Sequence, residues 1–395
     1  MRPPAHCPVV IVGAGPAGLV LARILGLHGI ESVVLERRSH DHVLARARAG
    51  IVEQPVADLL DELGAGDRLR REGLVHEGVS FRFGERTCRI DFAETVGRHV
   101  VVYSQQDIVA DLLDLHAAVG TPVVFGAEVT SIDDFEDGPP RVRVLVDGHE
   151  AVIGCDLVVC ADGTHGVSET ALQGRRALLR RIYRRSWLGV LVDAAPAADE
   201  LLYSRHRDGF ALMSMRGAHR TRLYLEVPAS TCLDDWSDDR IWTELHRRLD
   251  GDGLVLNEGD VLERGLTPLA SSIDQRMRYG RLLLVGDAAH VVPPTGAKGL
   301  NCAIGDAVVA ARAIREFRCR GEEALATYTS MASARIWGAQ RFSWQMTTMF
   351  HQVDTDPYER ELRLRQLEHV TSSAEAMADL ARQYTGLDLA DRWDA

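Results

Sequence analysis

The run Val9-Val10-Ile11-Val12-Gly13-Ala14-Gly15-Pro16-Ala17-Gly18 leaves few folds open to this chain. Four consecutive apolar residues make a strand with no polar face, so both of its sides must be covered. A glycine turn follows, a helix-like stretch runs to Leu27, and a second apolar strand, Val33-Val34-Leu35, ends on Glu36. Strand, glycine turn, helix, strand and acid within about thirty residues make a dinucleotide-binding βαβ unit. Gly13 makes the tight turn, Gly15 lets the backbone approach a pyrophosphate, and Gly18 lets the helix pack against the sheet, with Ala17 in the same turn. The pyrophosphate sits at the positive end of the helix, and the Glu36 carboxylate accepts from ribose hydroxyls. The unit alone does not distinguish NAD from FAD.

Two further strand ends face the same way. The apolar run Leu157–Cys160 stops at Ala161-Asp162-Gly163, and Leu282–Val285 delivers Gly286-Asp287, a loop stiffened by Pro293 and Pro294, and then Gly299-Leu300-Asn301 at the head of a helix reaching about Arg318. Polar turns at the ends of buried strands are where open α/β sheets place ligands. Ahead of both, after the cradle, lie a hairpin at Val79–Phe83 and Cys88–Phe92, preceded by His76, and a helix opening at Gln105. Arg46 and Arg48, at period two after the cradle, suit either phosphate neutralisation or an exposed linker.

From Leu188 to Val227 the pattern turns to β alternation, which predicts a second, antiparallel layer. Its hairpin is read as Phe210–Arg216, a turn over Gly217–Thr221, and Arg222–Val227. A symmetric turn sets Ser214 opposite Tyr224 and Arg216 opposite Arg222. Period two puts these four on one face and Met213, Met215, Leu223 and Leu225 on the other. Such a face suits either a small carboxylate or solvent. The tail beyond Glu322 is helical and amphipathic, as in packing or dimer surface.

A net charge of −12 gives no reason to expect a nucleic acid or an anionic membrane as partner. Seven scattered cysteines without a CxxC pair, and an N-terminus that enters a core strand, point to the cytoplasm and to no metal site. No apolar run approaches the roughly 20 residues of a membrane helix.

The glycine unit, Asp162-Gly163 and Gly286-Asp287 together resemble the three fingerprints of the FAD-dependent aromatic hydroxylases. Arg48-Ala49-Gly50, the hexapeptide from Gly73 to Gly78, Asp235-Trp236-Ser237-Asp238, Gly286–Asn301 and Arg341-Phe342-Ser343-Trp344 resemble more closely the members acting on 4-hydroxybenzoate. The resemblance implies an α/β fold: a doubly wound, glutathione-reductase-like Rossmann domain for FAD, an antiparallel β-sheet substrate domain and a helical C-terminal region in a homodimer. It divides the chain into FAD-binding parts at 1–75, 101–182 and 269–348, substrate-domain parts at 76–100 and 183–268, and a helical part at 349–395.

By the same resemblance, Gly13, Gly15, Ala17, Gly18, Glu36, Arg46, Arg48, Gln105, Asp162, Asp287, Gly299, Leu300 and Asn301 hold FAD. Ser214, Arg216 and Tyr224 grip a substrate carboxylate, Tyr203 meets its phenolic oxygen, and Tyr384 relays the proton to His76. The Pro294 carbonyl lies beside the ring, and Arg222 steers the flavin. The implied reaction uses NADPH or NADH and O2, and a flavin hydroperoxide attacks the ring carbon ortho to the hydroxyl, converting 4-hydroxybenzoate to 3,4-dihydroxybenzoate. A biosynthetic relative acting on 3-amino-4-hydroxybenzoate shares the carboxylate and the para hydroxyl. His42 and Ala270 depart from the NADPH-preferring pattern, which leaves Arg37, Arg38, Arg48 and His165 as phosphate partners. A flavin-free NAD-linked dehydrogenase, or a flavin-binding protein without catalysis, stands as the reading from a different class.

Overall fold

The computed structural model describes residues 3–45, 50–352, 356–386 and 389; Arg46 and Arg48 lie outside them. Its first layer is a sheet in the order Arg278–Tyr279, Leu282–Leu284, Leu157–Cys160, Val9–Val12, Ser32–Glu36, Val123–Phe125. All neighbours are parallel except the first pair. The central strands Val9–Val12 and Leu157–Cys160 are buried throughout, as their unbroken apolar runs require. Helices Pro16–Leu27 and Gly299–Arg320 pack on this sheet and contribute Leu19, Leu21, Ile24, Ile304 and Ile314 to its core. Parallel strands ending side by side bring Gly13, Ala161 and Gly286 to one edge.

The second layer is an eight-stranded sheet in the order His290–Val291, Asp260–Asp274, Leu178–Asp193, Arg220–Pro228, Gly209–Gly217, Leu202–His206, Gly78–Phe83, Arg86–Asp91. It is antiparallel apart from the pairing of Leu202–His206 with Gly78–Phe83. One face carries Trp187, Tyr203, Leu212 and Tyr224 and packs on Phe342, Phe350 and Tyr384 from the C-terminal helices Tyr328–Phe350 and Ala374–Thr385. The other carries Met213, Met215, Leu223 and Leu225 and packs on the helix Asp238–Leu249, which starts where Ser237 accepts the Arg240 backbone N–H at 3.3 Å.

The hairpin's faces are as its alternation predicts, but its register is not. Ser214 pairs with Arg222 and Leu212 with Tyr224, a slip of two residues from the symmetric arrangement. The connection between Gly217 and Arg220 is shorter than a Gly217–Thr221 turn, Gly217 has φ +141, and a bulge between Met215 and Gly217 leaves Arg216 without a direct opposite. A slip of two preserves every side chain's face, so the apolar pattern carries no trace of it.

Among the described residues, no helix is long and apolar enough to cross a membrane, and no group of three or more His, Cys, Asp or Glu side chains is placed to hold a metal ion.

Candidate active site

A continuous cavity of about 1310 Å³ runs from the glycine turn to the hairpin face. That volume exceeds what one small ligand needs, since typical pockets measure about 300–1,000 Å³. Its outer part is lined by Gly13, Gly15, Ala17, Glu36, Gln105, Asp162, Asp287, Gly299 and Leu300; its inner part by Trp187, Tyr203, Leu212, Ser214, Arg216, Arg222, Tyr224 and Pro294.

The three glycines of the turn differ in what surrounds them. A Cβ on Gly13, where φ is +107, would lie 2.4 Å from the Ala161 carbonyl oxygen, and one on Gly18 would lie 2.1 Å from that of Gly13. Both are glycine because protein backbone occupies the space. Around Gly15 there is nothing within 4 Å. Its bareness leaves room at the N-terminus of Pro16–Leu27, where free amide groups attract negative charge and a pyrophosphate fits. Glu36 is fixed beside it, accepting from the backbone N–H groups of Ala14 at 3.0 Å and Arg38 at 2.9 Å. Asp162 accepts from the Ser168 N–H at 2.8 Å and hydroxyl at 2.9 Å, so it orders its own loop, and burial raises its pKa. The residues present fit a flavin dinucleotide.

Asn301 is placed differently. Its amide nitrogen donates to the carbonyls of Ile51 at 2.9 Å and Ala297 at 3.0 Å, and its oxygen accepts from the Glu53 N–H at 2.9 Å. The side chain braces the loop while its neighbours Gly299 and Leu300 reach the cavity. Arg37, Arg38, His42 and His165 line the outer end, with the His165 side chain 87% exposed.

On the inner wall, Arg216 Nη1 donates to the Ser214 hydroxyl at 3.3 Å and the Met215 carbonyl at 2.8 Å. No carboxylate partners it among the described residues. Desolvation, with Arg222 nearby, holds its pKa below the usual arginine value, and Tyr224 opposes that shift. Arg222 itself donates to Glu263 at 3.1 Å and lies 5.6 Å from the centre of the Tyr224 ring.

Deeper still, the hydroxyls of Tyr203 and Tyr384 meet at 2.9 Å, and Tyr203 also donates to the Thr295 carbonyl at 3.2 Å. The Pro294 carbonyl accepts from the Ala297 N–H at 2.9 Å in the turn beside them. Burial pushes both tyrosine pKa values up, so both stay neutral near pH 7. His76 is also buried, with no hydrogen-bond partner at either ring nitrogen and a pKa lowered by desolvation. Tyr384 and His76 are not joined by a direct hydrogen bond.

Several site-shaping residues escape sequence reasoning. Lys298 forms a buried ion pair with Glu53 at 2.5 Å and donates to the carbonyls of Gln383 and Tyr384, tying the loop to the tyrosine. Asp306, inside the helix Gly299–Arg320, accepts from the Gly286 N–H at 2.8 Å and from His290 Nε2 at 2.6 Å, which fixes the strand end. Trp187 packs on Tyr224 at 4.8 Å and donates to His351 Nε2 at 2.6 Å. Only Trp187 left a signal, because it shares the parity of the cavity face.

Comparison with known proteins agrees with this geometry. Residues 6–343 match the FAD binding domain family. The chain is 39% identical over 384 residues to the p-hydroxybenzoate hydroxylase of Acinetobacter baylyi, covering 96% of this chain and 95% of that one. It is 30% identical to the 6-methylpretetramide 4-monooxygenase of Streptomyces rimosus, over 78% of this chain and 76% of the other. In fold it resembles the crystal structure of p-nitrophenol 4-monooxygenase from Pseudomonas putida, with a TM-score of 0.83 at 19% identity over 97% and 99% of the two chains. A cradle with space reserved at Gly15, a cavity leading from it to a phenol-lined pocket, and a family match over most of the chain lead to one conclusion: this protein belongs to the FAD-dependent aromatic hydroxylases and is a flavin-dependent aromatic monooxygenase.

Proposed function

We propose that this enzyme hydroxylates 4-hydroxybenzoate to 3,4-dihydroxybenzoate, with NADPH or NADH as reductant and O2 as oxidant. The observation that carries the reading is Arg216, a desolvated guanidinium on the cavity wall with no carboxylate partner among the described residues. A buried cation without a counter-ion is costly unless a ligand supplies one. A planar carboxylate does so in bidentate fashion and fixes the angle of the ring it carries. Ser214 and Tyr224 complete the grip.

Bound FAD supplies the electron transfer from the nicotinamide and the activation of dioxygen. The chain's residues prepare the ring. With its carboxylate on Arg216, a 4-hydroxybenzoate directs its hydroxyl toward Tyr203 and the Pro294 carbonyl. Loss of the phenolic proton makes the ring a better nucleophile, and the Tyr203–Tyr384 pair offers the proton a path away from the ring. We assign His76 as the acceptor at its end because its nitrogens are free to take a proton; a water or a small side-chain shift must close the last gap. Arg37, Arg38, His42 and His165 serve the nicotinamide dinucleotide, Arg222 marks the boundary between flavin and substrate, and Arg46 and Arg48 remain assigned to FAD. Two chains form the homodimer that the resemblance implies.

The reading is tested by following NAD(P)H oxidation by the FAD-loaded enzyme with 4-hydroxybenzoate or the uncharged 4-hydroxybenzamide. The acid stimulates strongly and the amide weakly, and Arg216→Lys narrows the difference because the planar fork is lost. Equal stimulation by both compounds would falsify the assignment.

A further inference from the structure

Two arginines line the inner cavity, but only one of them is matched by an acid. Arg222 on Arg220–Pro228 and Glu263 on Asp260–Asp274 are both paired in register with Leu191 of the strand between them. Their backbones are therefore two strand spacings apart, roughly 10 Å. Only long side chains reaching across the middle strand close that distance, and Arg222 Nη1 meets Glu263 Oε2 at 3.1 Å. The middle strand makes room for the crossing. Gly189 pairs with both Tyr224 and Gly265, and a Cβ on it would lie 2.9 Å from Tyr224 Cε1 and 3.4 Å from Arg222 Nη2. Gly189 thus forms a floor over which the tyrosine ring and the guanidinium lie.

This arrangement decides the charge that a ligand meets. Arg216 and Arg222 are close enough for the second to disfavour the charged form of the first. Glu263 cancels one of the two positive charges at the rim, where its own side chain is 49% exposed and that of Arg222 is 21% exposed. We infer that Glu263 is a specificity-determining residue: by holding and neutralising Arg222 across the middle strand, it leaves the pocket one net positive charge and so tunes it to aromatic monocarboxylates over dicarboxylates. The inference rests on the reading of Arg216 as the carboxylate anchor. Glu263 is not among the residues that line the cavity; it acts through Arg222.

The test measures binding of 4-hydroxybenzoate and of the dianion 4-hydroxyphthalate to FAD-loaded wild type, Glu263→Gln and Glu263→Asp, by calorimetry at low and high salt. In Glu263→Gln the affinity for the dianion relative to the monoanion should rise on the order of tenfold, since a second cation is released toward the ligand. The gain should shrink at high salt, because the rim is partly exposed. Glu263→Asp keeps the charge but shortens the reach, and should fall between wild type and Glu263→Gln. A ratio unchanged in Glu263→Gln, or shifted equally in Glu263→Asp, overturns the inference while the substrate reading stands. A wild type that binds neither ligand overturns both.

Discussion

Replacing Gly13 and Gly15 separately by alanine should split stability from cofactor binding. At Gly13 the new methyl lies 2.4 Å from a backbone oxygen, at a φ of +107 that alanine rarely adopts. The backbone strain alone costs about 1–3 kcal/mol, and displacing Ala161 on the adjoining strand adds to it. At Gly15 φ is −79 and ψ is 177, which alanine accepts, and nothing lies within 4 Å. Alanine there restricts the unfolded chain, a gain of about 0.4–1 kcal/mol, and loses about 0.5–1 kcal/mol as a helix cap, so the flavin-free protein should move by less than about 1 kcal/mol. The methyl would, however, stand in the space assigned to the pyrophosphate. Displacement of that group costs about 1–3 kcal/mol, or roughly 5- to 150-fold in FAD affinity. Denaturant unfolding of the flavin-free variants and titration of FAD by fluorescence quenching measure the two effects. Gly13→Ala should lose stability in the flavin-free form; Gly15→Ala should keep stability and lose flavin. A Gly15→Ala variant that binds FAD like wild type, or unfolds as early as Gly13→Ala, would refute the assignment of that space.

Tyr203→Phe should bind 4-hydroxybenzoate within about tenfold of wild type yet lose roughly 100-fold or more in product formation, as expected for a lost proton path; an unchanged product yield would remove Tyr203 from that path. Lys298→Met should destabilise by about 3–5 kcal/mol because Glu53 is left buried without its partner, and adding Glu53→Gln should recover a large part; denaturant midpoints in which single and double variants coincide would contradict this. His246 is held between Asp250 at 2.6 Å and Glu258 at 2.8 Å, and although partial burial works against it, these bonds raise its pKa above the usual value. Its folded pKa exceeds its unfolded one, so its contribution, about 0.5–1 kcal/mol for a partly exposed site, is complete below about pH 6.5 and fades as pH rises through the folded value. Melting curves of wild type and His246→Gln should converge at alkaline pH; a gap that widens there would reverse the sign.

What could be read from the sequence was local. The cradle announces itself because its glycines, apolar strands and Glu36 lie within one βαβ unit, and the strand ends at Asp162 and Asp287 follow from short buried runs. The hairpin's faces follow from period two, but its register depends on a short turn and a bulge at Arg216, features to which alternation is blind. The pairs that build the site join distant stretches: Lys298 with Glu53, His290 with Asp306, Arg222 with Glu263. Nothing in either member's neighbourhood names its partner, since each meeting is decided by how two layers stack. The same holds for Tyr203 and Tyr384, whose hydroxyls meet only once the C-terminal helix has docked on the sheet. Resemblance to a family proposed their association; the packing of the aromatic core brings them together.

The most direct test is to identify products by chromatography and mass after giving the FAD-loaded enzyme 4-hydroxybenzoate and 3-amino-4-hydroxybenzoate in parallel, each with NADPH and with NADH. 3,4-Dihydroxybenzoate should accumulate in proportion to the nicotinamide consumed. Hydroxylation of the amino compound alone, with 4-hydroxybenzoate driving only peroxide release, would contradict the proposed substrate.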